Sequence, residues 1–375
     1  MKTRTSNSRG FTVKSHSWDY AVSFETDLCF LDGLKEKDGI WIVDRNVHSL
    51  YPSCFGDVSD RVLLFDAMEE EKTPDRSMRM CKELATRSIR RNTILISVGG
   101  GITQDVSGFV ASVMFRGLDW VFVPTTLLAQ TDSCIGSKTS LNFGRFKNIL
   151  GTFFSPRRVF VCQRFLDTLR EIDFYSGFGE IVKLQLIKAR SIEDLSAAES
   201  ALNLVSWREN RCSDSILGFV HDCLLVKKGY IEEDEFDYGI RRLLNYGHCF
   251  GHAIESVSRF EIPHGLAVII GIIFAYIIAE KRGVISSEES DFVINRILLP
   301  HLHLELMNLK CSYFDCDELF SAMKRDKKRT GGNCAAIIIP KQGFQLQLVQ
   351  DLSYDESVLG VAELKNVIDQ NQFKL

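Results

Sequence analysis

Thr93-Ile-Leu-Ile-Ser-Val98 runs directly into Gly99-Gly-Gly101, and a helix-like stretch over residues 104–115 follows. A β-branched apolar run that feeds a glycine turn and then a helix is the first half of a βαβ unit. A turn of this kind points backbone N–H groups outward at a helix N-terminus, where a phosphate is held by hydrogen bonds and by the helix dipole. Glycine suits the position because a side chain would hold the phosphate off the backbone. The GxGxxG spacing is absent, so two readings stay open: a nucleotide cradle and a plain strand–helix connection.

Outward from the turn the same pattern repeats. Residues 39–44, 61–66, 119–124 and 158–162 are short apolar runs ending in turn or polar residues, and amphipathic stretches such as 73–90 lie between them. The alternation implies a parallel sheet covered by helices, a Rossmann-like α/β architecture. Beyond residue 168 the strand signal fades. Residues 174–189, 213–230, 242–259, 266–282 and 287–298 read as helices, and 335–340 with 344–349 as a small hairpin. The expected organisation is an α/β nucleotide-binding domain over residues 1–168 and an all-α metal and substrate domain over 169–375.

Composition narrows the function. The chain has 375 residues, 45% of them hydrophobic and 25% charged, as in a folded globular protein. A net charge of −4 and a pI near 6.1 leave no footprint for nucleic acid. Eleven cysteines without a CxxC pair read as reduced thiols of a cytosolic protein. The longest apolar run, residues 266–279, is short of the roughly 20 residues that a membrane span needs, so a buried core helix is expected rather than a membrane segment. Residues 1–18 lack acidic side chains, faintly like a transit peptide, but carry no apolar signal segment; a cytoplasmic location is expected.

Three of eight histidines, His248, His252 and His264, fall within 17 residues. His248 and His252 are i and i+4 and share a helix face. Neutral imidazoles converging with a carboxylate make a zinc site, catalytic if one position stays open. Glu180 is the candidate carboxylate; it stands i, i+3 from Lys183 in an otherwise apolar helix, which argues against a surface ion pair. Asp44 ends a strand and Asp105 lies one turn into a helix, both where strand C-termini meet and ligands of open α/β sheets bind. Taken alone, each reads as a cap or turn residue. Arg116, Lys138, Lys147, Asn148, Lys227 and Arg241 complete the polar set, and singly each reads as a solvated surface group.

The motifs together carry more. Gly99-Gly-Gly-Ile-Thr-Gln-Asp105, Phe115-Arg-Gly117, Val123-Pro-Thr-Thr-Leu-Leu-Ala129, Asp132-Ser-Cys-Ile-Gly-Ser-Lys138, Lys147-Asn-Ile-Leu-Gly151, Gly179-Glu-Ile-Val-Lys183 and Asn245-Tyr-Gly-His-Cys-Phe-Gly-His-Ala-Ile-Glu255 follow one another in this order. In order and spacing, from about residue 40 to 345, the chain resembles the 3-dehydroquinate synthase family of the sugar-phosphate cyclases. The resemblance implies an NAD-binding α/β domain, a helical domain and an active site between them. It implies zinc, or cobalt in its place, on Glu180, His248 and His264, and moves His252 to the substrate phosphate. Cofactor contacts are implied for Asp44, Asn46, Glu69, Lys72, Gly100, Gly101, Asp105, Thr125, Thr126, Asp132, Lys138 and Lys147. Substrate contacts are implied for Asp132, Lys138, Asn148, Lys183, Lys227, Arg241, Asn245 and His252, with Lys327 or its neighbour Lys328 as a late phosphate-binding lysine. Arg116 resembles an arginine supplied across a homodimer interface.

The implied reaction converts DAHP to 3-dehydroquinate and phosphate. It proceeds by transient oxidation with NAD, β-elimination of phosphate, re-reduction and intramolecular aldol closure. Lys227, Arg241 and Asn245 suit a carboxylated substrate. Leu266 stands where the family usually carries Glu, Ser137 where Gly is common, and Leu184-Gln185 and Cys249 are also atypical. A cyclase of a specialised pathway, like 2-epi-5-epi-valiolone synthase or 2-deoxy-scyllo-inosose synthase, is therefore the alternative. A metal-dependent polyol dehydrogenase and a non-catalytic relative are more distant ones.

Overall fold

The computed structural model describes residues 10–87, 89–144, 146–325 and 334–372. The chain divides into two compact units, Met1–Leu169 with Lys228–Phe236, and Arg170–Lys227 with Asp237–Leu375.

Among the described residues the first unit is built on nine strands: β1 (Phe11–Val13), β2 (Tyr20–Glu25), β3 (Gly39–Asp44), β4 (Val62–Phe65), β5 (Ile94–Gly99), β6 (Trp120–Pro124), β7 (Leu141–Phe143), β8 (Phe146–Leu150) and β9 (Arg158–Cys162). Seven form one sheet in the order β1-β2-β9-β6-β5-β3-β4, parallel throughout except for β1 on β2. Trp41, Val43, Ile96, Val98, Val121 and Val123 build its core, and β6 is buried along its whole length. Strands covered on both faces read as unbroken apolar runs, which made β3, β5, β6 and β9 visible in the sequence. β1 and β2 were not expected: β2 is short, ends in Glu25 and follows a polar leader, yet it pairs in parallel with β9 from Ala21 to Glu25.

Helices α1 (Phe30–Lys35), α2 (Arg45–Leu50), α3 (Pro74–Thr86) and α4 (Gly101–Val113) connect the strands. Thr73 starts α3 by accepting the Arg76 N–H, with Pro74 in the first turn. From β3 the chain goes outward to β4 and then returns to the other side of β3 as β5. The crevice between β3 and β5 is therefore a topological switch point.

The second unit is helical: α5 (Glu171–Lys188), α6 (Ile192–Leu202), α7 (Trp207–Asn210), α8 (Asp214–Glu233), α9 (His248–Val257), α10 (His264–Lys281), α11 (Ser287–Val293), α12 (Cys316–Arg325) and α13 (Tyr354–Gln372). It also carries an antiparallel hairpin of β10 (Ala335–Lys341) and β11 (Gln345–Leu352). Residues from Lys228 to the end of α8 pack with the first unit. Among the described residues α10 alone is long and apolar enough to cross a membrane, but 83% of it is buried among its neighbours, so it is a core helix.

Glycines let α10 come close to α5 and α9. A Cβ on Gly179 would lie 2.6 Å from the carbonyl carbon of Gly265, and one on Gly271 would lie 2.8 Å from that of Gly247. Residues 242–259, read as one helix, are in fact broken. A 3₁₀ turn (Ile240–Asn245) is followed by Gly247 at φ 75° before α9 begins. Gly247 presses its backbone on Val268 and Ile272 of α10, where a side chain has no room.

Candidate active site

In the first unit the expected cofactor residues gather at the C-terminal ends of β3, β5 and β6. Gly100 caps α4 and stands 3.1 Å, measured from an added Cβ, from Thr126 Cγ2; Thr125 donates its N–H to Gly99 O at 3.0 Å. Gly101 faces Ser133, which with Gln104 fastens the turn carrying Asp132 to α4: Ser133 Oγ donates to Gln104 Oε1 at 2.7 Å, and Gln104 Nε2 to Ser133 O at 2.6 Å. The glycine turn is thus open backbone at a helix N-terminus beside a sheet switch point, the geometry that suits a dinucleotide phosphate. Asp44 caps α2, accepting the Asn46 N–H at 2.9 Å, and burial raises its pKa against that hydrogen bond.

A second group forms around Lys72, which is 6% exposed. Its Nζ lies 2.6 Å from Asp105 Oδ2 and donates to Asn148 Oδ1 at 2.7 Å. Glu69 accepts from Asn142 Nδ2 at 2.9 Å and lies 3.6 Å from Lys147 Nζ. Asn148 sits at φ 51°, held there by donating its N–H to Asn142 Oδ1 at 2.9 Å. A non-glycine residue in the left-handed region costs energy that the hydrogen bond offsets.

Ser140 and Asn142 hold this group together and were missed by the sequence reading. Ser140 donates its N–H to Asp105 at 2.9 Å, and Asn142 donates its N–H to Lys72 O at 2.8 Å. They bracket Leu141, which is fully buried, so two-residue alternation along β7 would have marked them as facing the other way. Lys138 is exposed and follows Ser137, whose buried Oγ has no hydrogen-bond partner among the described residues. Arg116 is exposed on a tight turn where Phe115, Arg116 and Gly117 all have positive φ.

In the second unit, the close contact of Gly179 with Gly265 brings Glu180 of α5 against His264 of α10. The left-handed Gly247 seats His248 on the same spot. Glu180 is fully buried; its Oε1 lies 3.3 Å from His264 Nε2 and 3.7 Å from His248 Nε2, and its Oε2 2.5 Å from Lys183 Nζ. These are ion-pair distances, and among the described residues neither carboxylate oxygen finds a hydrogen bond of good geometry. Each imidazole uses its other nitrogen elsewhere, His248 Nδ1 at 3.0 Å from Tyr246 O and His264 Nδ1 at 3.3 Å from Glu255 Oε2.

Electrostatics follow from this packing. Burial works to raise the Glu180 pKa, but Lys183 and the two imidazoles hold it well below the usual carboxylate range. Burial and then Lys183 push His248 down to about 3. Burial would also lower His264, but the Glu255 and Glu180 carboxylates carry it up to about 10.

Lys183 balances one oxygen of this buried, ionised carboxylate, and the other oxygen faces the two imidazole nitrogens. The donor set of one oxygen and two nitrogens fits zinc or cobalt with a position left open. The other ring nitrogens are anchored as metal-ligating histidines require.

His252, the helical partner of His248, belongs to a different donor group with Glu255 and His264. Lys183 is 1% exposed, as its apolar helix implied, and Lys227 and Arg241 are 8% and 4% exposed, so the reading of these last two as solvated surface charges does not hold. Asn245 donates through Nδ2 to Arg242 O at 2.9 Å. Lys327 lies outside the described residues.

An α/β unit of this topology joined to a helical unit recurs in solved enzymes. A crystal structure of 2-deoxy-scyllo-inosose synthase complexed with carbaglucose-6-phosphate, NAD+ and Co2+ matches 93% of this chain and 99% of its own, with TM-score 0.79 and 25% identity. The 2-epi-5-epi-valiolone synthase from Streptomyces hygroscopicus, with NAD+ and Zn2+ bound, gives TM-score 0.79 over 94% and 98% at 23% identity, a likeness of fold. The class is thus the dehydroquinate synthase-like fold.

Models of the 3-dehydroquinate synthase N-terminal and C-terminal regions match residues 62–176 and 177–329. The 3-dehydroquinate synthase of Dictyoglomus turgidum is 33% identical over 294 residues, 78% of this chain and 79% of its own length. That of Enterococcus faecalis is 32% identical over 352 residues, 88% and 92% of the two chains. The chain belongs to the 3-dehydroquinate synthase family.

Proposed function

We propose that this chain is a 3-dehydroquinate synthase, a phosphate-eliminating carbon–oxygen lyase that converts DAHP into 3-dehydroquinate and phosphate. The observation that carries the reading is the fully buried Glu180 carboxylate with Nε2 of His248 and His264 aimed at it. Glu180, His248 and His264 would hold zinc, or cobalt in its place; when bound, the metal supplies polarisation of a substrate hydroxyl. Gly100, Gly101, Thr125, Thr126, Asp44, Asn46, Glu69, Lys72, Asp105 and Lys147 would hold NAD, which supplies a hydride acceptor restored at the end of the cycle.

The remaining roles fall to the chain's own charges. Lys183, Lys227, Arg241 and Asn245 bind the substrate's anionic and hydroxyl groups, and burial strengthens every such charge-assisted hydrogen bond. Lys138, Asn148, Asp132 and His252 orient the sugar and its phosphate, with Lys327 as a further phosphate contact. Arg116, exposed on its strained turn, serves a neighbouring copy in a homodimer. The setting is cytoplasmic, in the shikimate pathway of aromatic amino-acid synthesis, with no role for nucleic acid or membrane.

A second reading, another sugar-phosphate cyclase, draws on the departures at Ser137 and Leu266 and on the TM-score of 0.79 to 2-deoxy-scyllo-inosose synthase. One experiment separates the readings: phosphate release by the zinc-loaded protein with NAD, on DAHP, sedoheptulose 7-phosphate and glucose 6-phosphate. Release from DAHP alone without net NADH supports the first reading. Release from another sugar phosphate replaces it with the second. Net NADH from an alcohol would instead indicate a polyol dehydrogenase.

A further inference from the structure

His264 is held from both sides. Its Nε2 lies 3.3 Å from Glu180 Oε1 and its Nδ1 3.3 Å from Glu255 Oε2. To ligate a metal the imidazole must give up its second proton, and the neutral ring then has one N–H and one lone pair, so whichever nitrogen donates decides which can ligate. Glu255 is placed to decide it. Its side chain is 8% exposed and lies on α9, the helix that also carries His248. The segment after it folds back through Arg259 and Phe260 at positive φ, so that Phe260 N–H at 2.8 Å and Ser258 Oγ at 3.1 Å both donate to Glu255 O.

A carboxylate near the C-terminal end of a helix faces the negative end of the helix dipole, and burial adds to its cost. The position is tolerable when a strong N–H donor meets it. Two residues after His264 on α10, where the family resemblance leads one to expect an acid, stands Leu266, fully buried and unable to accept a hydrogen bond.

We propose that Glu255 is the positioning residue of the metal centre. It takes the Nδ1 N–H of His264, so that the Nε2 lone pair points at the spot shared by Glu180 and His248. The inference rests on the metal reading given above. The donor atoms of His252, Glu255 and His264 all lie within 4.8 Å of one another, so the same carboxylate also faces the imidazole assigned to substrate phosphate. Glu255 thereby sets the orientation of His264 and bears on that of His252.

The test uses the full chain, stripped of metal and titrated with Zn2+ or Co2+ against a chromophoric chelator, for wild type, Glu255→Gln and Glu255→Leu. We expect Glu255→Leu to bind about 10- to 100-fold more weakly, Glu255→Gln to fall between, and the Co2+ visible spectrum of both to change. Stoichiometry stays at one ion per chain throughout.

Thermal unfolding of the metal-free proteins separates misfolding of the leucine variant from loss of affinity, and Glu255→Gln, nearly isosteric, keeps the inference open to refutation. Wild-type affinity and Co2+ spectrum in both variants would overturn it. A wild-type stoichiometry of two that falls to one in Glu255→Leu would also overturn it, making Glu255 a ligand of a second ion. Absence of tight metal binding in the wild type would instead defeat the metal reading itself.

Discussion

Gly179→Ala tests whether backbone contact between α5 and α10 assembles the metal centre. A Cβ at this position would lie 2.6 Å from the carbonyl carbon of Gly265 and 2.9 Å from its Cα. Carbon atoms settle near about 3.5–4.0 Å, so the two helices must part locally by roughly 1 Å. The neighbouring residues, Glu180 and His264, carry the 3.3 Å contact that would widen with them.

Overpacking of this kind costs about 1–3 kcal/mol. Replacing a helical glycine by alanine returns roughly 1 kcal/mol, so a net loss of about 0–2 kcal/mol is expected. Zinc affinity should fall at least about tenfold, as when a ligand loses its support.

The assay is thermal unfolding of the metal-free protein together with chelator competition. Gly218→Ala is the control, because nothing lies within 4 Å of its added Cβ in α8; it should stabilise by about 0.5–1 kcal/mol and leave zinc binding alone. If Gly179→Ala behaved like Gly218→Ala in both measurements, the account of how the site is assembled would be refuted.

Three other expectations follow from the same packing. Lys72→Met, which strips Asp105 and Asn148 of a shared cationic partner, should weaken NAD+ binding about 10- to 100-fold by calorimetry, since a charge-assisted hydrogen bond contributes about 1.5–3 kcal/mol; unchanged affinity would remove Lys72 from the cofactor site. Stripping the metal with a chelator should lower stability by about 4 kcal/mol relative to zinc at a thousand times its Kd, read as a fall in Tm that added zinc restores.

Arg282 pairs with Glu356 at 2.7 Å and lowers the Glu356 pKa to about 2. A depressed carboxylate pKa stabilises the fold above the unfolded value of 4.5 and ceases to do so as pH falls through about 2. Denaturation midpoints of Glu356→Gln should therefore trail the wild type at pH 7 and converge with it near pH 2; a constant gap would contradict this.

The sheet was legible in the sequence where strands are covered on both faces, as in β3, β5, β6 and β9, because burial on both sides leaves an apolar run with no polar alternation. β2 escaped notice because its six residues end in Glu25 and its pairing with β9 reaches across more than a hundred residues. The glycine turn carries two readings in the sequence; Glu180 and the three histidines stand out by residue type and spacing, and the other site residues only through the order of the motifs.

What the sequence by itself determined is the set of elements and the residue types on offer: a βαβ glycine turn, a wholly apolar core helix, three histidines and an acid in an apolar helix. Local periodicity reports burial and turn geometry, and those are properties of neighbouring residues. Tertiary structure decided which distant groups meet. The helical pair His248 and His252 share a face, yet it is His248 and His264 that turn toward Glu180, because Gly179 meets Gly265 and Gly247 meets α10 without side chains between them. Ser140 and Asn142 likewise gain their roles only when β7 is laid beside Lys72 and Asp105. The closeness of two backbones is a property of packed surfaces, and no single stretch of chain encodes it.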